Sequence, residues 1–436
     1  MKVFVPNNNL EERMYIIDVF FTTFLGVDYT VEKHQNNDWL LQVEDKLIVI
    51  KDTFFSNFHQ ELSYLDKNNI PITIQFATNE YTPEDNLPVI YGGTTIAKNS
   101  NSITCDIDIF ASAFFMLTRW EEYVVEELDN HGRFPGSSSL AYKQNFLDRP
   151  IVNEYVELLW NMLTSIGYNK ERKKRNYNLI VTHDLDYPFA WTTPKKAIRK
   201  LGGRILKLDF VNFFKLLLNF IKTKINYKND NFYTFDFLFN FYDQKKLSTY
   251  FFLMTGSNKK LDGCYNLSNK KIKKIIAAIL NKGHKIGFHP GYDSHINEKI
   301  WQQELHTLQE NVMVPINVGR QHYLRYQVPK TAALWDKNDM KWDSSLYYSK
   351  EGGFRTGCCY EYPLFDFLTR RKLKVKEKTL CFMDTTIIDN NINIDLKKIS
   401  ETVKKYSGDF VFLWHNSNLY NKKLMQLFKK SIEQVI

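Results

Sequence analysis

Five short stretches of this 436-residue chain set carboxylates and imidazoles where they could hold a cation or move a proton. In the first, Thr182, His183, Asp184, Leu185 and Asp186 follow directly on the apolar Leu179, Ile180 and Val181. Two carboxylates this close can divide labour, one binding a cation and the other accepting a proton, because a bound cation lowers the pKa of its ligand. A single Asp at a strand end would more often cap the next loop; the doubled acid after an apolar strand favours chemistry. In the second stretch, GFHPGYD, His289 ends an apolar run and Asp293 follows four residues on. Imidazole with carboxylate suits a borderline cation such as zinc. A lone His there is ordinarily a satisfied polar residue, and its recurrence after a second strand shifts that balance. In the third, VGRQHYLRY, Arg320 and His322 alternate along an expected strand and would share a face. The fourth is KWDSSLYY with Asp343, followed by GGFRTG and YEYP. The fifth, DFVFLWHNS, is almost wholly apolar and ends in His415, an imidazole suited to protonating a leaving group.

Elements able to position these groups follow from the hydrophobic pattern. LIVT, LSTYFFLM, KIGFH, VGRQHYL, KWDSSLYY and DFVFLWH read as strands, and helical patterns at 268–280, 297–310 and 396–406 separate several of them. Strands alternating with helices argue for a parallel sheet or an α/β barrel, with ligands bound at the C-terminal strand ends. The first 170 residues mix strands and helices differently. A helical pattern runs from Leu10 to Leu25, WLLQVEDKLIVIKD reads as two strands about a Glu44, Asp45 turn, and further helices are expected at 109–122 and 153–165. The polar, basic NKERKKRNYN makes a boundary, so the expectation is an N-terminal α/β domain at 1–170 and a second α/β domain at 171–436.

Composition narrows the class. Hydrophobic residues at 44% exclude a mostly disordered chain. The N-terminal apolar run is too short for a secretory leader, and no stretch reaches the roughly 20 apolar residues of a membrane span, so cytoplasm is the expectation. Cys105, Cys264, Cys358, Cys359 and Cys381 form no zinc-knuckle or disulfide pattern and are expected to be buried thiols. Between Thr192 and Lys228 ten Lys or Arg face one acid, Asp209, so this segment alone carries the net charge of +9. The basic charge is therefore local, and nucleic-acid binding is not expected. The segment reads as a helical insertion at 192–228, two amphipathic helices broken near Asp209. It is either a cover with a solvated basic face or an interfacial element making peripheral contact with the inner membrane.

The order of motifs resembles the polysaccharide deacetylases, the carbohydrate esterases with a NodB homology domain. THDLD from Thr182, HPGYD from His289, RQH from Arg320, DSSLYY from Asp343 and LWH ending in His415 match the five family motifs in order, over roughly residues 178–420. The DSSL stretch, GFR and EYP are similar to a subgroup acting on bacterial surface glycans. Asp293 stands where the family has a second metal-binding His, His322 where it has Pro, and Leu185 in the usual metal slot, which moves that role to Asp186. The resemblance implies a NodB-like irregular (β/α) barrel. It makes Asp184 the general base, Arg320 its orienting partner and His415 the general acid. Asp186, His289 and Asp293 are the ligands of a divalent metal, zinc first, and His183, His322 and Asp343 are additional active-site residues. The implied activity is removal of acetyl groups from N-acetylated sugars of a surface glycan or its lipid-linked precursor. The alternative is a catalytically silent glycan-binding protein on the same fold. Convergence of Asp186, His289 and either Asp293 or His322 on one point separates the two.

Overall fold

A computed structural model describes residues 1–191, 194–256, 258, 260–263, 265–389 and 395–436. Thr192, Cys264 and the side chains of Lys195, Lys196 and Lys200 lie outside the described residues. The chain forms two compact units. The first comprises Met1–Asn178, Tyr323–Cys381 and Lys398–Phe410, and the second Leu179–His322, Phe382–Lys397 and Val411–Ile436. The first unit thus takes in segments from both sides of the boundary read near residue 170.

Its N-terminal part holds β1 (Lys2–Pro6), β2 (Thr30–His34), β3 (Trp39–Val43), β4 (Lys46–Ile50), β5 (Gln75–Ala77), β6 (Leu87–Val89), β7 (Gly92–Lys98) and β8 (Ser102–Ile107). Six of these make a mixed sheet in the order β2-β1-β3-β4-β8-β7. The period-two pattern of β3 buries Trp39, Leu41 and Val43 on one face. Glu44, with φ 54°, turns the chain into antiparallel β4, as the sequence suggested. The helix Ile109–Thr118 is apolar on every side and is buried throughout; Asp108 caps it by accepting from Ala111 N at 3.1 Å.

The second unit is built on parallel strands. β9 (Asn178–Leu185), β10 (Tyr250–Met254), β11 (Lys285–His289) and β12 (Val318–Gly319) pair in parallel, with Asp184 beside Phe252, Met254 beside His289 and Phe288 beside Gly319. In the first unit, β15 (Arg371–Glu377) pairs parallel with β13 (Trp342–Asp343) and antiparallel with β14 (Tyr362–Asp366). β16 (Leu380–Met383) and β17 (Asp409–Leu413) complete the series, and the second unit runs in the order β12-β11-β10-β9-β17-β16. The helices Phe235–Lys245, Lys270–Asn281 and Glu298–Val312 alternate with β9 to β12. The protein is therefore mixed α/β. The strand expected over 318–324 stops at Gly319, where a Cβ would come within 1.9 Å of Phe288 O. Arg320 and His322 accordingly sit on the following turn and not along a strand.

Candidate active site

The strand order brings the polar ends of separate chain segments together: Arg320 and His322 after β12, His289 at the end of β11, Asp184 and Asp186 at the end of β9, His415 after β17 and Asp384 after β16. All belong to the second unit. Alternation along β9 decides which of its groups takes part. Thr182 and Asp184 share one face, and Arg320 Nη1 donates to both, to Thr182 Oγ1 at 3.0 Å and to Asp184 Oδ1 at 2.8 Å. The guanidinium lies over the Phe252 ring, 5.1 Å from its centroid, and is fully buried.

His183 faces the other way. Its Nδ1 is 2.6 Å from Trp414 O and must donate to that carbonyl, which leaves Nε2 to accept from Tyr242 OH, also at 2.6 Å. Burial pushes its pKa down to about 4, so the ring is neutral. Both nitrogens are committed inside the core, and the structure does not bring His183 to the other groups.

Two imidazoles approach Asp186. His289 Nδ1 donates to Arg320 O at 2.6 Å, which turns Nε2 toward Asp186 Oδ1 at 3.1 Å. His322 Nδ1 donates to Asp262 Oδ1 at 2.8 Å, and its Nε2 stands 3.7 Å from Asp186 Oδ2. Asp262 is itself fixed by the backbone N–H groups of Tyr292 and Asn258, each at 2.9 Å. A Cβ on Gly263 would lie 1.6 Å from Asp186 O, so only glycine lets this loop reach the site. Burial would raise the Asp186 pKa, but His322, His289 and His415 outweigh it and hold the carboxylate well below its usual range. Burial likewise opposes the charge on His322, and Asp186 and Asp262 reverse that to about 9.

These residues fit a metal. Asp186, His289 and His322 offer three ligand atoms all within 4.8 Å of one another. Asp186 Oδ1 and His289 Nε2 are buried and have no hydrogen-bond partner, although they face each other. A buried carboxylate oxygen and a buried imidazole nitrogen that face each other call for a cation or proton between them. The 3.1 Å between Asp186 Oδ1 and His289 Nε2 lies near the roughly 3.3 Å edge of a tetrahedron with zinc-type bonds of about 2.0 to 2.1 Å, while His322 Nε2 stands 3.7 Å from the other oxygen, Oδ2. The hydrogen bonds to Arg320 O and Asp262 fix each ring with its Nε2 inward, as a metal-binding histidine requires.

On the other side stands His415. Its Nδ1 is 2.7 Å from Asp384 Oδ1, its backbone N–H donates to Asp384 Oδ2 at 2.9 Å, and Nε2 lies 3.8 Å from Asp186 Oδ2. Burial would lower its pKa, but Asp384, with smaller help from Asp186 and Asp184, raises it to about 10. The imidazole is therefore a cation at neutral pH, with its Nε2 proton facing the cluster.

Residues 1–168 match the model of a family of unknown function (DUF7033). No curated protein matches the chain. Among solved structures, it is similar to a candidate polysaccharide deacetylase from Mycobacterium smegmatis at 13% identity and a TM-score of 0.39, over 60% of this chain and 85% of that one. It is also similar to a pseudoenzyme of the CE4 family from Bacillus anthracis and to a mutant of a CE4 pseudoenzyme with restored enzymatic activity. Both stand at 8% identity and a TM-score of 0.30 over 59% of this chain, which spans 62% and 64% of theirs. Likeness at this level assigns no activity.

Two further sequence-derived candidates, Asp293 and Asp343, are not in this group. Asp293 is exposed, and its Oδ2 accepts from Asn258 Nδ2 at 2.9 Å; it is not part of the three-residue group, in which His322 supplies the third ligand atom. After His289 the chain turns through Pro290 and Gly291, which carries Asp293 outward. Asp343 belongs to the first unit, where Ser345 Oγ donates to it at 2.6 Å. Arg355 of the GFR segment, in the same unit, is buried against Glu122, which also binds Arg119. Sequence reasoning missed Asp262 and Asp384. Asp384 carried a usable signal, since the apolar run Leu380–Met383 ends in an acid just as β9 does. Asp262 lies in an irregular loop and carried none.

Proposed function

We propose that the protein is a metal-dependent hydrolase that removes acetyl groups from N-acetylated sugars of a bacterial surface glycan or its lipid-linked precursor. The observation that carries this reading is the convergence of Asp186, His289 and His322 between two supported proton-transfer groups, Asp184 held by Arg320 and His415 held by Asp384.

In this reading Asp184 is the general base. With Oδ1 held by Arg320, its Oδ2, 3.8 Å from His289 Nε2, takes a proton from the attacking water. His415 is the general acid. Raised to about 10, it is charged at neutral pH and gives its Nε2 proton to the departing amine nitrogen, which could not leave as an anion. Asp186, His289 and His322 would hold a divalent cation, zinc first by the donor set, which when bound would supply Lewis acidity toward the acetyl carbonyl and the water. Arg320, bonded to Oδ1, holds Asp184 in one orientation.

The silent glycan-binding alternative drew its support from the acid standing in place of a second histidine. His322 provides a third donor beside Asp186 and His289, which favours the hydrolase. The reading is tested by acetate release from N-acetylglucosamine oligomers after chelation and after return of zinc. Release that disappears with chelation and returns with zinc supports it; release unchanged by chelation, or absent under every metal, opposes it.

A further inference from the structure

The basic segment after the Asp184, Asp186 strand presents an unusual surface. Of the 21 large hydrophobic side chains exposed among the described residues, ten lie between Ile198 and Ile225. They concentrate on the helix Phe210–Ile225. Its inward side is well supported: Trp191 packs edge-on against Phe220 at 5.3 Å and donates from Nε1 to Asn219 Oδ1 at 2.6 Å, and Thr223 is buried. The outward side is also apolar. Phe210, Phe214, Leu218, Ile221 and Ile225 recur at helical spacing with Val211 beside them, a stripe roughly 100° wide at 3.6 residues per turn. Val211 is 67% exposed, Leu218 57% and Ile225 82%. By the same geometry Lys215 and Lys222 border the stripe on one side and Lys224 stands on the other.

We infer that this stripe docks on an anionic lipid surface, with its apolar side chains in the interface and the bordering lysines against lipid headgroups. Charge decides the occupant. A second copy of the chain would set the same patch against itself, and the segment from Thr192 to Lys228 carries a net +9, so self-association brings like charges together. An anionic bilayer satisfies both features at once, apolar burial and neutralisation of the lysines. The single acid of the segment, Asp209, is already engaged, capping the helix through Asn212 N and pairing with Arg204 at 2.9 Å. Trp191 ties the helix to the connection that leaves β9 only five residues after Asp186, so docking holds the donor cluster close to the surface. The inference does not depend on the chemistry proposed for Asp184 and His415.

The test is cosedimentation of the full chain with phosphatidylcholine vesicles, with and without phosphatidylglycerol, alongside sedimentation velocity of the protein alone. The intact protein is expected to pellet with the anionic vesicles at low salt and to be released as salt rises. A Phe214→Ser, Leu218→Ser, Ile221→Ser variant alters only exposed side chains and should lose binding by at least about tenfold with its circular dichroism unchanged. Lys215→Gln and Lys222→Gln should each weaken binding about fivefold, the factor equivalent to about 1 kcal/mol per basic residue. An intact protein that stays in the supernatant with anionic vesicles at low salt overturns the inference. So does a triple variant that pellets as well as the parent. A concentration-dependent dimer in the absence of lipid, abolished by the triple variant, would assign the stripe to a second copy instead.

Discussion

Asp384→Asn isolates the group that makes His415 an acid. Asp384 is fully buried and touches His415 twice, at Nδ1 and at the backbone N–H, while Asn418 Nδ2 donates to the same carboxylate at 2.9 Å. An asparagine keeps the volume but removes the charge, and in either orientation it sets its own N–H group against one of these donors. Burial, which opposes the imidazolium, then acts with only Asp186 and Asp184 against it. His415 should fall from about 10 toward its ordinary 6.5. At pH 7.5 the protonated fraction drops from nearly complete to roughly one in ten, so acetate release should fall at least about tenfold. The basic limb of its pH profile should move down by several pH units. Nitrogen-15 NMR of the histidine rings follows the same titration without needing turnover. A His415 resonance that still titrates near 10 in Asp384→Asn, or a pH profile that does not move, would refute the assignment of Asp384 as the source of the raised pKa.

Asp184→Asn should lower acetate release by about 10²- to 10⁴-fold with its circular dichroism still that of the folded chain, although Arg320 loses its buried counter-ion and the melting temperature falls; activity within a few-fold of the parent would remove Asp184 as the base. His183 is held neutral, its folded pKa of about 4 lying below the ordinary 6.5, so protonation favours the unfolded chain. Stability present above pH 6.5 should therefore be lost as pH falls toward 4, by about 3 kcal/mol, and urea titrations of His183→Gln should show a flatter dependence over that window; an equal slope would contradict the buried neutral ring. In the first unit, Arg355→Met leaves Glu122 buried with one guanidinium in place of two and should cost about 3 to 5 kcal/mol by urea unfolding. A loss below about 1 kcal/mol would mean that water reaches this network.

Local pattern carried much of the fold. β11 begins and ends where KIGFH does, the β3-β4 hairpin turns at Glu44, and the two basic helices break at Asp209 as their spacing required. Partner choice was less legible, because periodicity assigns a face and not the distant residue that meets it. His183 shows the limit from within one strand: a doubled acid beside a histidine looked like one cluster, but alternation sends the ring toward Tyr242 and away from Asp184. Asp293 and His322 show it across the chain. The HPGYD spacing pointed to Asp293, yet a tight turn carries that residue outward while the turn after β12 brings His322 in. The signal from Arg320 and His322 survived even though the strand expected to align them ends at Gly319. Asp262 could be found only from coordinates, since its place is set by Gly263 and by backbone contacts from Tyr292 and Asn258. The exposed stripe on Phe210–Ile225 was hidden for a related reason: that helix is apolar on two sides, and composition does not say which side packs.

Asp186, His289 and His322 are proposed to form one metal site. This proposal is tested most directly by zinc content, measured by mass spectrometry after zinc loading and gel filtration, for the intact protein, His322→Ala and Asp293→Ala. The intact chain and Asp293→Ala should each hold about one zinc, and His322→Ala should hold far less. An intact protein that retains no metal, or zinc that persists in His322→Ala and vanishes in Asp293→Ala, would contradict the account.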